Sequence, residues 1–181
     1  MAVPLTLSTS RLLLRQWQDS DLDAFAAINA DPEVRAHFPS LLSRDESAAE
    51  LARAAAHIET HGWGFFAMER RADAACIGMC GLKWVSFEAA FTPAVEIGWR
   101  LARPAWGQGL ASEAAHACVR LGFAELGLDE IVSFSVPGNL RSQAVMRRIG
   151  MQRDTDGDFD HPKLPDAHPL RRHVLYRLRR D

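Results

Sequence analysis

The stretch from Val95 to Met151 constrains this chain more than any other, because it reads as strand, glycine loop, helix, strand and capped helix in one continuous run. Val95-Glu96-Ile97-Gly98-Trp99-Arg100-Leu101 is rich in β-branched and aromatic types and predicts a strand. It leads through Ala102-Arg103-Pro104-Ala105 into Trp106-Gly107-Gln108-Gly109-Leu110-Ala111, where a helix opens. Positions 111, 114, 115, 118 and 122 (Ala, Ala, Ala, Cys, Gly) recur at i, i+3, i+4, i+7 and i+11. Their small side chains share one helix face and allow close approach to a sheet. Glycine at 107 and 109 removes the Cβ atoms that would hold a ligand away from the loop N–H groups. The helix behind them offers its positive end and unpaired donors, so the run predicts a phosphate cradle.

What is missing narrows the ligand. A kinase-type P-loop needs Gly-Lys-Ser/Thr, whereas Leu110-Ala111 follow Gly109. A dinucleotide fingerprint needs a third glycine or an alanine where Ser112 stands, and an acid at the end of the next strand. Asp129 precedes the predicted strand 131–136 instead of ending it. Glycines that merely made a turn would leave Trp106, the small-faced helix and the next motif unexplained.

That motif is Val136-Pro137-Gly138-Asn139-Leu140-Arg141-Ser142. Pro137 and Gly138 stop the strand, and Asn139 is a good N-cap for a helix carrying Val145, Met146 and Ile149 inward, closed by Gly150. With these motifs the chain resembles the GCN5-related N-acetyltransferase (GNAT) superfamily, specifically its RimJ/RimL type, the ribosomal-protein N-terminal acetyltransferases and their relatives. The resemblance rests on Ile77-Gly78-x-x-Gly81-Leu82, Glu96-Ile97-Gly98-Trp99, Trp106-Gly107-x-Gly109-x-Ala111-x-Glu113-Ala114, and Asn139-x-x-Ser142 with Gly150-Met151. Order and spacing together make it specific, and it spans nearly the whole chain. Two departures stand out. Pro104 occupies the place, three residues before the first loop glycine, where the superfamily often has Gln or Arg, with Arg103 one place off. Met146 stands where many members carry a tyrosine as general acid.

The resemblance implies an α/β fold with an α+β mixed sheet, the single-domain acyl-CoA N-acyltransferase fold, over residues 1–181. Its central sheet is mostly antiparallel, of about seven strands flanked by about four helices, splayed at strands 4 and 5. It also implies acetyl-CoA as co-substrate, with the pyrophosphate on Trp106, Gly107, Gln108, Gly109, Leu110 and Ala111. The pantetheine arm would lie along Ile97, Gly98, Trp99, Arg100 and Leu101, with Asn139 and Ser142 beside it. Ser142 is the candidate acid for the departing thiolate, since the matching serine sits close to the coenzyme sulfur in RimL-like enzymes. Capping alone is the other reading of Ser142. Glu96 is the candidate base, acting through water, or else a carboxylate that fixes a neighbouring loop. A backbone N–H between Ile97 and Trp99 would serve the oxyanion.

No Cys-His-Asp or Gly-x-Ser-x-Gly pattern is present, which suits direct attack of an amine on the thioester. An α-amine of pKa about 7.7–8.0 is roughly a tenth neutral at pH 7, and a lysine amine of about 10.4 under about a thousandth, so a lightly equipped site favours the former. Residues 154–168 hold five aspartates against Lys163. If this stretch overhangs the acceptor groove, as in relatives, it would attract a cationic amine. Trp17, Phe38, Trp63 and Trp84 suit either the pocket wall or the core. A non-catalytic acyl-CoA-binding module and a nucleotide-dependent enzyme are the alternative classes.

Elsewhere the chain predicts strands at 11–17, 63–69, 75–85, 152–154 and 173–178. Helices are predicted from about Asp21 to Asn29 and from a Ser43-x-x-Glu46 capping box to His61-Gly62. Formal net charge is −2 in 181 residues, so no nucleic-acid partner is implied. No apolar run approaches spanning length and nothing at the start reads as a signal peptide, so a cytoplasmic protein without a membrane partner is expected. Cys76, Cys80 and Cys118 are too few for a disulfide framework and read as buried thiols. His57-x-x-x-His61 has metal spacing without a third ligand nearby, so no metal is expected. A homodimer is compatible with the sequence.

Overall fold

A computed structural model describes residues 5–180; residues 1–4 and 181, and with them the ends of the expected domain, lie outside the described residues. Two short strands, β1 (Leu7–Ser8) and β2 (Leu12–Arg15), precede helices α1 (Leu22–Ala30) and α2 (Arg44–His61). Strands β3 (Phe65–Arg70), β4 (Ala75–Trp84) and β5 (Val95–Leu101) follow, then helix α3 (Leu110–Arg120). The chain closes with β6 (Glu130–Ser135), α4 (Leu140–Arg148), β7 (Gln152–Asp160) and β8 (Arg172–Arg179). Eight strands form one sheet in the order β1-β2-β3-β4-β5-β6-β8-β7, antiparallel except where β5 meets β6. The sheet is mixed and mostly antiparallel with four α-helices, as the sequence implies; the additional strand is the two-residue β1, too short to carry a pattern.

Local chemistry sets the helix ends. Ser43 and Glu46 form a reciprocal capping box, the Ser43 hydroxyl accepting from Glu46 N–H at 3.1 Å and the Glu46 carboxylate from Ser43 N–H at 2.7 Å. Helix α1 starts one residue later than the sequence predicts, behind a single 3₁₀ turn at Asp19–Asp21. The cause is the Asp21 carboxylate, which accepts from Gln18 N–H and is held by Arg15 at 2.8 Å.

The small face of α3 lies on the sheet. Ala114, Ala115 and Cys118 are fully buried, and a Cβ added to Gly122 would come within 2.7 Å of Ile131 Cδ1. That close approach fixes the height of α3 above β4 and β6, and hence where its N-terminus stands. Cys80 and Cys118 are buried with their sulfurs 3.9 Å apart, while Cys76 is half-buried. Helices α1 and α2 cover the opposite face. There Arg100 of β5 donates to Asn29 of α1 at 2.7 Å and pairs with Glu50 of α2 at 2.9 Å.

The C-terminal strands correct one expectation. The stretch 154–168 is not one acidic loop, because β7 continues to Asp160 and pairs with the arginine-rich β8. Asp154 binds Arg177 at 2.6 Å, Asp158 binds Arg153 at 2.6 Å, Asp160 binds Arg172 at 3.3 Å, and Asp166 pairs with Arg171. These carboxylates are compensated locally, which removes the net field that would recruit a cation over long range.

Candidate active site

Strand β5 parts from β6 almost as soon as they meet. The two are in register at a single position, Glu96 opposite Val132, whereas β5 pairs with β4 along its whole length. Val85 N–H donates to Ala94 O and Ala102 N–H to Ile77 O, so the even-numbered peptides of β5 point to β4. Strand alternation therefore turns the peptides of Ile97, Trp99 and Leu101 toward β6. The Ile97 carbonyl accepts from Ser133 Oγ at 2.9 Å across the opening, and the Leu101 carbonyl accepts from Trp106 Nε1 at 2.9 Å. Beyond Ile97 the gap widens and Trp99 presents its N–H and C=O there. An unpaired strand edge of this kind is a place for an extended ligand with amides of its own.

The gap runs up to the glycine loop. Gly107 and Gly109 take the left-handed conformation, with φ of 73° and 76°, which L side chains adopt only with strain. Gly109 is the N-cap of α3 and supplies no side-chain cap. Among the described residues no protein acceptor takes the N–H groups of residues 107–112. A cluster of free N–H groups at a helix N-terminus is the donor set a pyrophosphate requires, so the residues present fit coenzyme A.

Residues far away in sequence hold the loop still. Gln108 Nε2 donates back to Pro104 O at 2.7 Å, and Arg11 Nη1 donates to Gln108 O at 2.9 Å. Arg11 also binds Glu113, whose carboxylate accepts from Thr9 Oγ1, Ser10 Oγ and Arg11 N–H at 2.6, 3.0 and 2.9 Å. Burial pushes the Glu113 carboxyl up, but these donors outweigh it and bring its pKa to about 2. The motif residue Glu113 thus ties the β1–β2 turn to the first turn of α3. Glu113→Gln is expected to lose about 2 kcal/mol of stability at pH 7, read by urea melts. The folded pKa lies below the unfolded one, so this contribution is complete above about pH 5 and disappears as pH falls through about 2. Equal stabilities of the two proteins at pH 7 would remove the anchor role. Arg103 does not serve the loop: it turns away to Asp31, at 3.3 Å, and Glu33.

The two candidate catalytic residues belong to the elements that bound the gap, Glu96 to β5 and Ser142 to the helix that follows β6. Glu96 is half-buried on the α1/α2 face, with Lys83 Nζ at 3.7 Å. Burial raises its pKa above the ordinary carboxylate range, against the lowering charges of Lys83 and Lys163. Ser142 stands in the first turn of α4, at the end of β6. Asn139 Oδ1 caps that helix by accepting the Ser142 N–H at 3.2 Å, so capping is done by the asparagine and not by the serine hydroxyl. Met146 is buried in the core. The chain's one tyrosine, Tyr176, sits in β8, its hydroxyl 3.2 Å from Gln143 Oε1 and accepting from Arg147.

Other expectations fall into place around these. Trp17 and Trp63 are buried, Trp17 Nε1 donating to Phe65 O at 2.8 Å; Trp84 is 48% exposed. Phe38 lies under the Arg35 and Arg100 guanidiniums, at 4.4 and 4.7 Å. His57 and His61 lie ring to ring at 4.5 Å beside Trp63, and among the described residues no group of three metal-ligating side chains occurs. Also among the described residues, no helix is long and apolar enough to cross a membrane.

The splayed mixed sheet with a bare glycine loop over the gap is the architecture of the acyl-CoA N-acyltransferases. The family model for the acetyltransferase (GNAT) domain matches residues 11–152, and the chain belongs to that family, whose acyl donor is acetyl-CoA. It is 31% identical over 153 residues to the uncharacterized N-acetyltransferase YoaA of Bacillus subtilis, covering 82% of this chain and 83% of that one. The crystal structure of an acetyltransferase from Agrobacterium tumefaciens shares 28% identity at a TM-score of 0.77, covering 99% of this chain and 96% of that one. RimL, a ribosomal alpha-N-protein acetyltransferase solved in complex with coenzyme A, aligns at a TM-score of 0.75 over 97% of this chain and 98% of its own. At 16% identity that last likeness speaks to the fold.

Proposed function

We propose that the chain transfers an acetyl group from acetyl-CoA to a primary amine, a peptide α-amine or a small amine, by direct attack on the thioester. The observation that carries this reading is the gap between β5 and β6, with the free Trp99 edge leading into the uncapped N-terminus of α3. Acetyl-CoA supplies an activated acyl carbon, so no nucleophilic side chain is required. Glu96, raised above its ordinary pKa by burial, takes the proton the amine must lose, through water. Trp99 N–H donates to the acyl oxygen as negative charge grows there. Ser142 donates its hydroxyl proton toward the departing thiolate; the C–N bond forms as the C–S bond breaks.

Thiol release from acetyl-CoA over a panel of small amines and short peptides tests the reading. Amine-dependent release is expected; tight coenzyme A binding with no release over any amine would make the chain a binding module instead. Ser142→Ala is expected to lower kcat about tenfold to a hundredfold while leaving KM for acetyl-CoA near its original value. The melting temperature should hold, since Asn139 does the capping; Asn139→Ala should cost about 1 kcal/mol of stability. Unchanged kcat in Ser142→Ala would remove the acid role.

A further inference from the structure

Six aromatic rings gather around Phe134, on the sheet face that also carries Glu96. Val132 is the strand partner of Glu96, and Phe134, two residues on, shares that face where β6 has left β5. Its ring lies 5.4 Å from Phe159 and 6.0 Å from His173, cross-strand partners on β7 and β8. Phe87 and Phe91 reach in from the loop before β5, at 5.6 and 6.0 Å from Phe134. His161 completes the group at 4.6 Å from Phe87. All six stay partly exposed, and the four phenylalanines lie outside the main hydrophobic core. A partly exposed aromatic cluster apart from the core is suited to meeting a ligand. On the other side of Glu96 the Phe65 ring lies against Gly98, 3.2 Å from where a Cβ would stand.

The charges around this patch bear on which amine it takes. Burial, with the charges of His173 and Lys163, lowers the His161 pKa to about 4, and burial also lowers that of His173. The histidines are therefore neutral rings at pH 7. Glu96 is flanked by two ammonium groups, Lys83 at 3.7 Å and Lys163, which is near enough to lower its pKa. Two cations around one carboxylate disfavour a third, so the acceptor best suited here arrives as a neutral, weakly basic amine. Lys163 Nζ binds Ser86 Oγ at 3.0 Å and lies 6.0 Å from the Phe87 ring, linking the β7–β8 loop to the β4–β5 loop at the outer edge of the rings. That bridge stands in the way of a chain continuing outward past the rings.

Resting on the acetyltransferase reading above, we infer that Phe87, Phe91, Phe134, Phe159, His161 and His173 form the acceptor-side wall that selects a small α-amine bearing an aromatic side chain. Wild-type kcat/KM is expected to favour phenylalaninamide over alaninamide, the same amine without a ring, by at least about tenfold. Phenylethylamine, which keeps the ring on a more basic amine, is expected to fall below phenylalaninamide. Phe159→Ala should bring the ring preference down to about twofold or less. Phe159→Leu, which keeps apolar volume, should hold an intermediate ratio, and melting temperatures of both variants check folding. Equal rates for phenylalaninamide and alaninamide would overturn the ring inference while leaving the acetyltransferase reading standing. A peptide beginning with phenylalanine that outran phenylalaninamide would overturn the small-molecule assignment. No thiol release over any amine would overturn both readings.

Discussion

Gly109→Val is expected to weaken coenzyme A binding about a hundredfold, the largest single effect on affinity anticipated for this chain. At φ 76° a β-branched residue is strained, and strain of this kind amounts to about 1–3 kcal/mol. Part of that would appear as lost stability. The ligand-specific part is separable, because a Cβ at 109 meets no protein atom nearer than Arg11 Nη2 at 3.7 Å. Crowding from the new side chain therefore falls on whatever the free N–H groups hold. Gly127→Val is the control: its φ is 65° and a Cβ there also has open space, but it lies beyond α3, away from the loop. Calorimetry with coenzyme A should show weakened binding for Gly109→Val and near-normal binding for Gly127→Val at comparable losses in melting temperature. Unchanged affinity in Gly109→Val would take the phosphate role from this loop.

Glu96→Gln is expected to lower kcat/KM about a hundredfold to a thousandfold, within the range that general-base catalysis contributes. The variant keeps the shape and loses the base, so KM for acetyl-CoA should change little. The pH profile carries the more specific signature. Burial raises the Glu96 pKa while Lys83 and Lys163 hold it down, so the acidic limb of wild-type kcat/KM should lie above the ordinary carboxylate range. Activity then rises with pH as Glu96 loses its proton, and that limb should vanish in Glu96→Gln. A limb that persists unchanged in the variant would assign the base to another group.

The run from Val95 to Met151 was legible because its determinants are local. Two glycines, the small residues at helical spacing and an asparagine cap each act within a few residues, and they place β5, the loop, α3 and α4. The Glu96 position was legible for the same reason. What could not be read depends on partners brought together by the fold. Arg11 steadies the loop through Gln108 O and Glu113 from about a hundred positions away, and nothing in its neighbourhood announces it. The aspartates of 154–168 look like an acidic loop until β8 sets Arg177 and Arg172 opposite them. Strand β7 is legible only to Asp154, because residues 155–158 are polar and include Gly157, so the stretch before Phe159 lacks the alternation that marks a half-buried strand. The aromatic wall is assembled from β6, β7, β8 and two loops. Its one local hint is Phe87 and Phe91 in a connecting loop, where large apolar side chains have no core of their own to fill.

In the proposed reaction coenzyme A lies in the gap between β5 and β6 and hangs from the N-terminus of α3. Residue-resolved amide hydrogen exchange, with and without saturating coenzyme A, tests it directly. The Trp99 N–H and those of residues 107–112 are expected to become strongly protected. The Arg100 N–H, which points to β4, should change little. Protection elsewhere with these amides unaffected would place the coenzyme outside the β5/β6 gap, whatever activity the protein displays.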